Sequence, residues 1–132
     1  MKFQTSTPLD KLLDGGLETD AITNIYGPPG SGKTNIALAT VLACCAAGKK
    51  AVYVDTEGSF SLDRFEQLGG TEKEMKNIFM FPVHDWKEQH KKLIELEKLV
   101  EKEKTIGVIV VDSIVSLYRL EMDEKNFQQT NK

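Results

Sequence analysis

The sequence is poor in the residues that staple small folds together or hold metals. Its 132 residues contain two cysteines, two histidines and one tryptophan. The cysteines, Cys44 and Cys45, are adjacent, so they match neither a disulfide framework nor a zinc site built on spaced cysteine pairs. Inside an apolar helix they read as packing residues. His84 and His90 have no partners at metal-ligand spacing. No run approaches the roughly eighteen consecutive apolar residues of a membrane span, and Met1-Lys2-Phe3-Gln4-Thr5 opens no signal-peptide pattern. Positive charge is not in excess. A net charge of −3 excludes a general basic coat for nucleic acid, so a DNA contact needs a local patch. There is no low-complexity linker and no internal repeat. Residues 1–132 are expected to form one domain, soluble and cytoplasmic, with no membrane partner.

What is present is an alternation of strands and helices, with 40% apolar residues to build a core. Thr7 and Pro8 are placed as N-cap and first residue of a helix with Leu9, Leu12 and Leu13 on one face, and Gly15-Gly16 stops it after about two turns. Residues 21–26 read as a strand running into a Gly/Pro turn, 33–47 as a small-residue helix ended by Gly48, and 50–55 as a second strand. A short helix is expected over 62–68, a third strand over 78–81 and a fourth over 106–111. The longest helix runs from 86 to about 104, with Trp86, Leu93, Leu96 and Val100 as its buried stripe. Its six lysines and five glutamates, paired as in Glu88–Lys92 and Lys91–Glu95, form a solvated face rather than a DNA stripe. Unbroken apolar strands suit a parallel sheet covered by helices on both faces, which is a three-layer α/β fold.

One segment carries specific chemistry. Gly27-Pro28-Pro29-Gly30-Ser31-Gly32-Lys33-Thr34 satisfies every fixed position of G-x-x-x-x-G-K-[ST], between a strand and a helix. A phosphate chain needs donors converging from one side, and such a loop supplies backbone N–H groups backed by the helix dipole. Pro28 and Pro29 have no N–H, so the cradle is assigned to residues 30–34 and the prolines to stiffening the approach. Lys33 would reach the β- and γ-phosphates, and the Thr34 hydroxyl would serve Mg²⁺. Two carboxylates are candidates beside it. Asp112 ends the apolar run Val108-Ile109-Val110-Val111, at the sheet edge where ligands of open α/β folds sit, and can hold Mg²⁺ through coordinated water. An aspartate there can also cap a following helix. Glu57, in Asp55-Thr56-Glu57-Gly58, is a candidate to polarise the attacking water, and on spacing alone is equally a solvated turn glutamate.

The order of these pieces resembles the RecA-type ATPase core. Residues 6–18, Ser-Thr-Pro-Leu-Asp-Lys-Leu-Leu-Asp-Gly-Gly-Leu-Glu, are similar to the start of archaeal RadA, RadB and KaiC-like domains. Val54-Asp55-Thr56-Glu57-Gly58-Ser59-Phe60 and Val110-Val111-Asp112-Ser113, followed by Leu117-Tyr118-Arg119, match the recombinase branch, and the wording of the phosphate loop through Asn35 favours the RadB type. The resemblance covers nearly the whole chain. It implies a RecA-like P-loop NTPase core with a mostly parallel sheet, running from Walker A to just past Walker B with the C-terminal part of the core missing. It implies ATP and Mg²⁺ as cofactors, Glu57 and Lys33 as catalytic residues, and Thr34 and Asp112 as the magnesium residues. The nucleotide set becomes Gly27, Gly30, Ser31, Gly32, Lys33, Thr34, Asn35 and Arg64, the arginine stacking on adenine as its planar guanidinium suits.

The function implied is that of an accessory factor in homologous recombination and DNA repair. It would hydrolyse ATP slowly and bind single-stranded or branched DNA, or a RadA-type recombinase. The alternatives are a nucleotide-gated binding module without meaningful turnover and a KaiC-like signalling ATPase, which Asp55-Thr56-Glu57-Gly58 disfavours. Two features depart from the family. Residues 119–132 carry three positive and three negative charges, not a basic DNA loop. RecA-type cores also place a later strand between the phosphate-loop strand and the Walker B strand, and residues 120–132 are mostly polar. The sheet is therefore expected not to join Ile25 to Val110.

Overall fold

The structure is a computed structural model describing residues 1–25, 32–58 and 60–112, apart from the Trp86 side chain. The expectations at Tyr26, Gly27, Pro28, Pro29, Gly30 and Ser31, at Ser59, and over 113–132 lie outside the described residues. In chain order the elements are β1 (Lys2–Phe3), α1 (Leu9–Leu12), β2 (Leu17–Glu18), α2 (Lys33–Ala46) and β3 (Lys50–Asp55), then α3 (Leu62–Gln67), α4 (Glu72–Met75), β4 (Ile78–Pro82), α5 (Trp86–Lys102) and β5 (Ile106–Asp112).

β3 is the centre of a parallel sheet in the order β4-β3-β5. Its sequence explains the position: Ala51, Val52, Tyr53, Val54 and Asp55 are all buried, so both faces of the strand are covered. On one face Ala51 and Tyr53 pack with Leu38, Val41, Cys44 and Cys45 of α2 and with Phe65 of α3. On the other, Val52 and Val54 pack with Val83 and with Leu96 of α5. Helices on opposite faces of a parallel sheet make the expected three-layer α/β arrangement. Burial also pushes both thiols up, Cys45 to about 11, so the cysteines are unreactive packing residues.

Gly107 interrupts the apolar run of β5 for a physical reason. Lys50 pairs with Ile106, but Ala51 pairs with Val108, so Gly107 is the extra residue of a bulge. The bulge switches which side chains face which layer. Ile106 packs into the α5 core, whereas Val108 and Val110 pack into the α2 core. A Cβ on Gly107 would lie 2.9 Å from Cys44 Sγ and 2.9 Å from Lys49 Cδ.

Four expectations are corrected. Residues 21–25 form no strand; they are exposed, Ile22 to 99%. A strand needs a neighbouring row of donors and acceptors, and among the described residues the sheet ends at β5 without reaching them. Helix α1 is a single turn that buries nothing, with Leu12 83% exposed. Thr7 still serves its start, its Oγ1 accepting from Leu9 N–H at 3.2 Å. The stripe of α5 is rotated, burying Gln89 and Leu96 and half-burying Lys92 and Leu99, while Leu93 and Val100 are exposed. The apolar band on this helix is wider than its contact with the sheet. Its ion pair is Lys92–Glu95 rather than the two expected pairs, and Glu88 instead accepts from His84 N–H. Finally, β5 is not covered on both faces, since Ile109 and Val111 are exposed. The β1–β2 pairing and the capping box of Thr71 and Glu74 on α4 were not expected.

Gly107→Ala is expected to destabilise the chain by about 1–2 kcal/mol, because overpacking against Cys44 outweighs the entropy gained by removing a glycine. Urea unfolding followed by circular dichroism measures it.

Candidate nucleotide site

The site is assembled at the C-terminal edge of the sheet. Gly32 precedes α2 with φ +93°, a left-handed turn that favours glycine, and its carbonyl accepts from Ile36 N–H at 3.0 Å. The chain therefore enters α2 with Lys33 as its first residue. Thr34, Leu38, Val41 and Cys45 then recur at intervals of four, three and four, which is one face of a helix. The last three of these are buried against the sheet, so the same face carries Thr34 toward the strand ends.

Thr34 Oγ1 donates to Asp112 Oδ2 at 3.3 Å, and Tyr53 Oη donates to the same oxygen at 3.0 Å. Asp112 is 8% exposed and ends β5. In the parallel register it lies beside Asp55, and Thr56 N–H donates to its carbonyl at 2.9 Å. Asp55 has a different task. Its Oδ1 accepts from Glu57 N–H at 3.3 Å and its Oδ2 from Phe60 N–H at 3.2 Å. One carboxylate thus holds the loop that carries Glu57, which is exposed at the same edge. Beyond the loop, Ser61 caps α3, its Oγ accepting from Arg64 N–H. Arg64 Nη1 reaches across to Asn35 Oδ1 at 2.6 Å, linking α3 to the first turn of α2.

The structure therefore brings Thr34 to Asp112 and Arg64 to Asn35, with Gly32, Lys33 and Glu57 at the same end of the sheet. Gly27, Gly30 and Ser31 lie outside the described residues. Tyr53 and Asp55 were not singled out from the sequence, although alternation along β3 puts both on the face of Ala51. The donor set fits magnesium. Thr34 and Asp112 offer hard oxygens, and Mg²⁺ is held by one or two carboxylates together with phosphate oxygens rather than by a protein cage. Among the described residues no cluster of three or more His, Cys, Asp or Glu could hold a metal by itself.

Comparison with known proteins agrees with this architecture. The Rad51 family matches residues 2–127. The DNA repair and recombination protein RadB of Methanosphaera stadtmanae is 46% identical over 119 residues, covering 89% of this chain and 51% of that protein. RadB of Methanococcoides burtonii is 44% identical over 121 residues, covering 90% of this chain and 52% of that protein. A crystal structure of the RadB recombinase superposes with a TM-score of 0.75 at 38% identity, covering 90% of this chain and 55% of that one. The chain spans about half the length of the curated relatives it matches.

Asp55→Ala removes the acceptor for two amides of the Glu57 loop. The Glu57 and Phe60 amides are expected to exchange with deuterium faster by about fivefold or more, in line with the worth of a lost hydrogen bond. Exchange at Val52 in the same sample is the control.

Proposed function

The chain belongs to the Rad51 family, and on that footing we propose that it binds MgATP at the strand edge and turns it over slowly in DNA repair and recombination. The observation that carries this reading is the convergence of Thr34 and Asp112, from α2 and β5, at 3.3 Å beside the phosphate-loop sequence. In this reading the backbone N–H groups of Gly30, Ser31, Gly32, Lys33 and Thr34 cradle the phosphates, Gly27 opens the loop, and the Lys33 side chain reaches the β- and γ-phosphates. Thr34 and Asp112 hold Mg²⁺, Asp112 through coordinated water. The ion, when bound, offsets negative charge on the phosphate oxygens.

Glu57 then acts as the general base, accepting the proton of the water that attacks the γ-phosphate. Its position is set by Asp55 through the amide of Glu57 itself. Arg64, oriented by Asn35, stacks on the adenine. Among the described residues no helix is long and apolar enough to cross a membrane. The partners proposed are DNA, single-stranded or branched, or a RadA-type recombinase; what supports a DNA partner is the relatives' naming as DNA repair and recombination proteins.

An ATP titration and a turnover assay with and without single-stranded DNA test the proposal. Lys33→Ala should weaken ATP binding by about ten- to a hundredfold, the worth of one charged contact. Glu57→Gln keeps the shape and loses the base, so binding should stay near normal while turnover falls on the order of a hundredfold. Unchanged binding in Lys33→Ala would overturn the site. Equal turnover in wild type and Glu57→Gln would leave a nucleotide-gated binding module.

A further inference from the structure

We propose that Tyr53 is a positioning residue for the magnesium-dependent part of nucleotide binding, its buried hydroxyl holding the Asp112 carboxylate in the orientation that serves the ion. The inference rests on the MgATP reading of the site. Tyr53 is 0% exposed, and its ring is fixed on the α2 face of β3. Phe60 packs edge-on against it with the centroids 5.3 Å apart. A phenol held this firmly is a donor in a fixed place.

What it donates to is the last residue of the neighbouring strand. Tyr53 Oη reaches Asp112 Oδ2 at 3.0 Å, the same oxygen that accepts from Thr34 at 3.3 Å. A carboxylate on a short side chain can rotate about its terminal bond. Two hydroxyls from β3 and α2 converging on one oxygen fix that rotation and so fix where the other oxygen points. The two donors differ in role. Thr34 belongs to the magnesium set, and its hydroxyl is shared with that duty. Tyr53 bonds to Asp112 from the adjacent strand and acts on the ion through that carboxylate. Packing alone does not require the hydroxyl, since phenylalanine would present the same ring to Phe60, Leu38 and Val41. Partners that orient a metal-binding carboxylate in this way typically change metal affinity about ten- to a hundredfold when removed.

The test is Tyr53→Phe in the full chain, read by the fluorescence of an ATP analogue carrying a ribose fluorophore. The Mg²⁺ concentration giving half of the magnesium-dependent binding should rise about tenfold. Binding in EDTA and the far-ultraviolet circular dichroism spectrum should stay at their wild-type values. In an Asp112→Asn background, Tyr53→Phe should add nothing to the magnesium dependence. A wild-type magnesium midpoint in Tyr53→Phe, or a loss of equal size with and without Mg²⁺, overturns the inference and leaves the nucleotide site standing. Failure of the wild-type chain to bind the analogue overturns both. Fluorotyrosine placed at position 53 gives an independent readout in the unmutated hydrogen-bond network. Its fluorine resonance should shift when Mg²⁺ is added to the nucleotide complex, and an unmoved resonance also overturns the inference.

Discussion

The parallel pairing of β3 with β5 is the contact on which the site depends. Because the two strands end together, Asp55 and Asp112 lie side by side at one edge, where a staggered end would separate them. Each aspartate then takes a different task from its surroundings. Asp55 turns inward along its own chain and accepts two amides of the loop that carries Glu57. Asp112 faces α2 and accepts two hydroxyls. The register is itself held by burial, since a one-residue slip of β3 would exchange Ala51 and Tyr53 with Val52 and Val54 across the sheet.

The rest of the fold supports that pairing from both sides. Helix α2 spans the layer beneath it, and the helical repeat that buries Leu38, Val41 and Cys45 also delivers Thr34 to the strand ends. The bulge at Gly107 lets β5 begin on the α5 side and continue on the α2 side, so that Val108 and Val110 meet α2. Without it, the opposite alternation would aim these valines away from that helix. The aromatic chain Tyr53–Phe60–Phe65 ties the loop after β3 to α3, and α3 presents Arg64 to Asn35. Core packing and site geometry are thus one set of contacts.

Much of this was legible in the sequence. The apolar runs at 50–55, 78–81 and 106–111 appear as strands, and the described candidates Lys33, Thr34, Glu57 and Asp112 lie at one end of the sheet. What could not be read was set by tertiary contact. Residues 21–25 have strand-like composition, yet β propensity is realised only beside a pairing partner. Spacing does not single out the buried stripe of α5, because its apolar residues cover more of the helix than the sheet contacts. Tyr53 is indistinguishable in sequence from a core aromatic, and its hydroxyl acquires meaning only once Asp112 is beside it. Gly107 stands in the sequence only as a break in an apolar run, and in the structure it is where the register changes.

The central claim is that Thr34 and Asp112 form one metal-binding pair at the strand edge. Crystals of the chain grown with a non-hydrolysable ATP analogue and Mn²⁺ in place of Mg²⁺ test it most directly, because manganese is located by its anomalous scattering. The account predicts a single strong peak ligated by the Thr34 hydroxyl and the β- and γ-phosphate oxygens, with Asp112 holding a coordinated water. A nucleotide bound with manganese at Glu57 or Asp55 and away from Thr34 would contradict it.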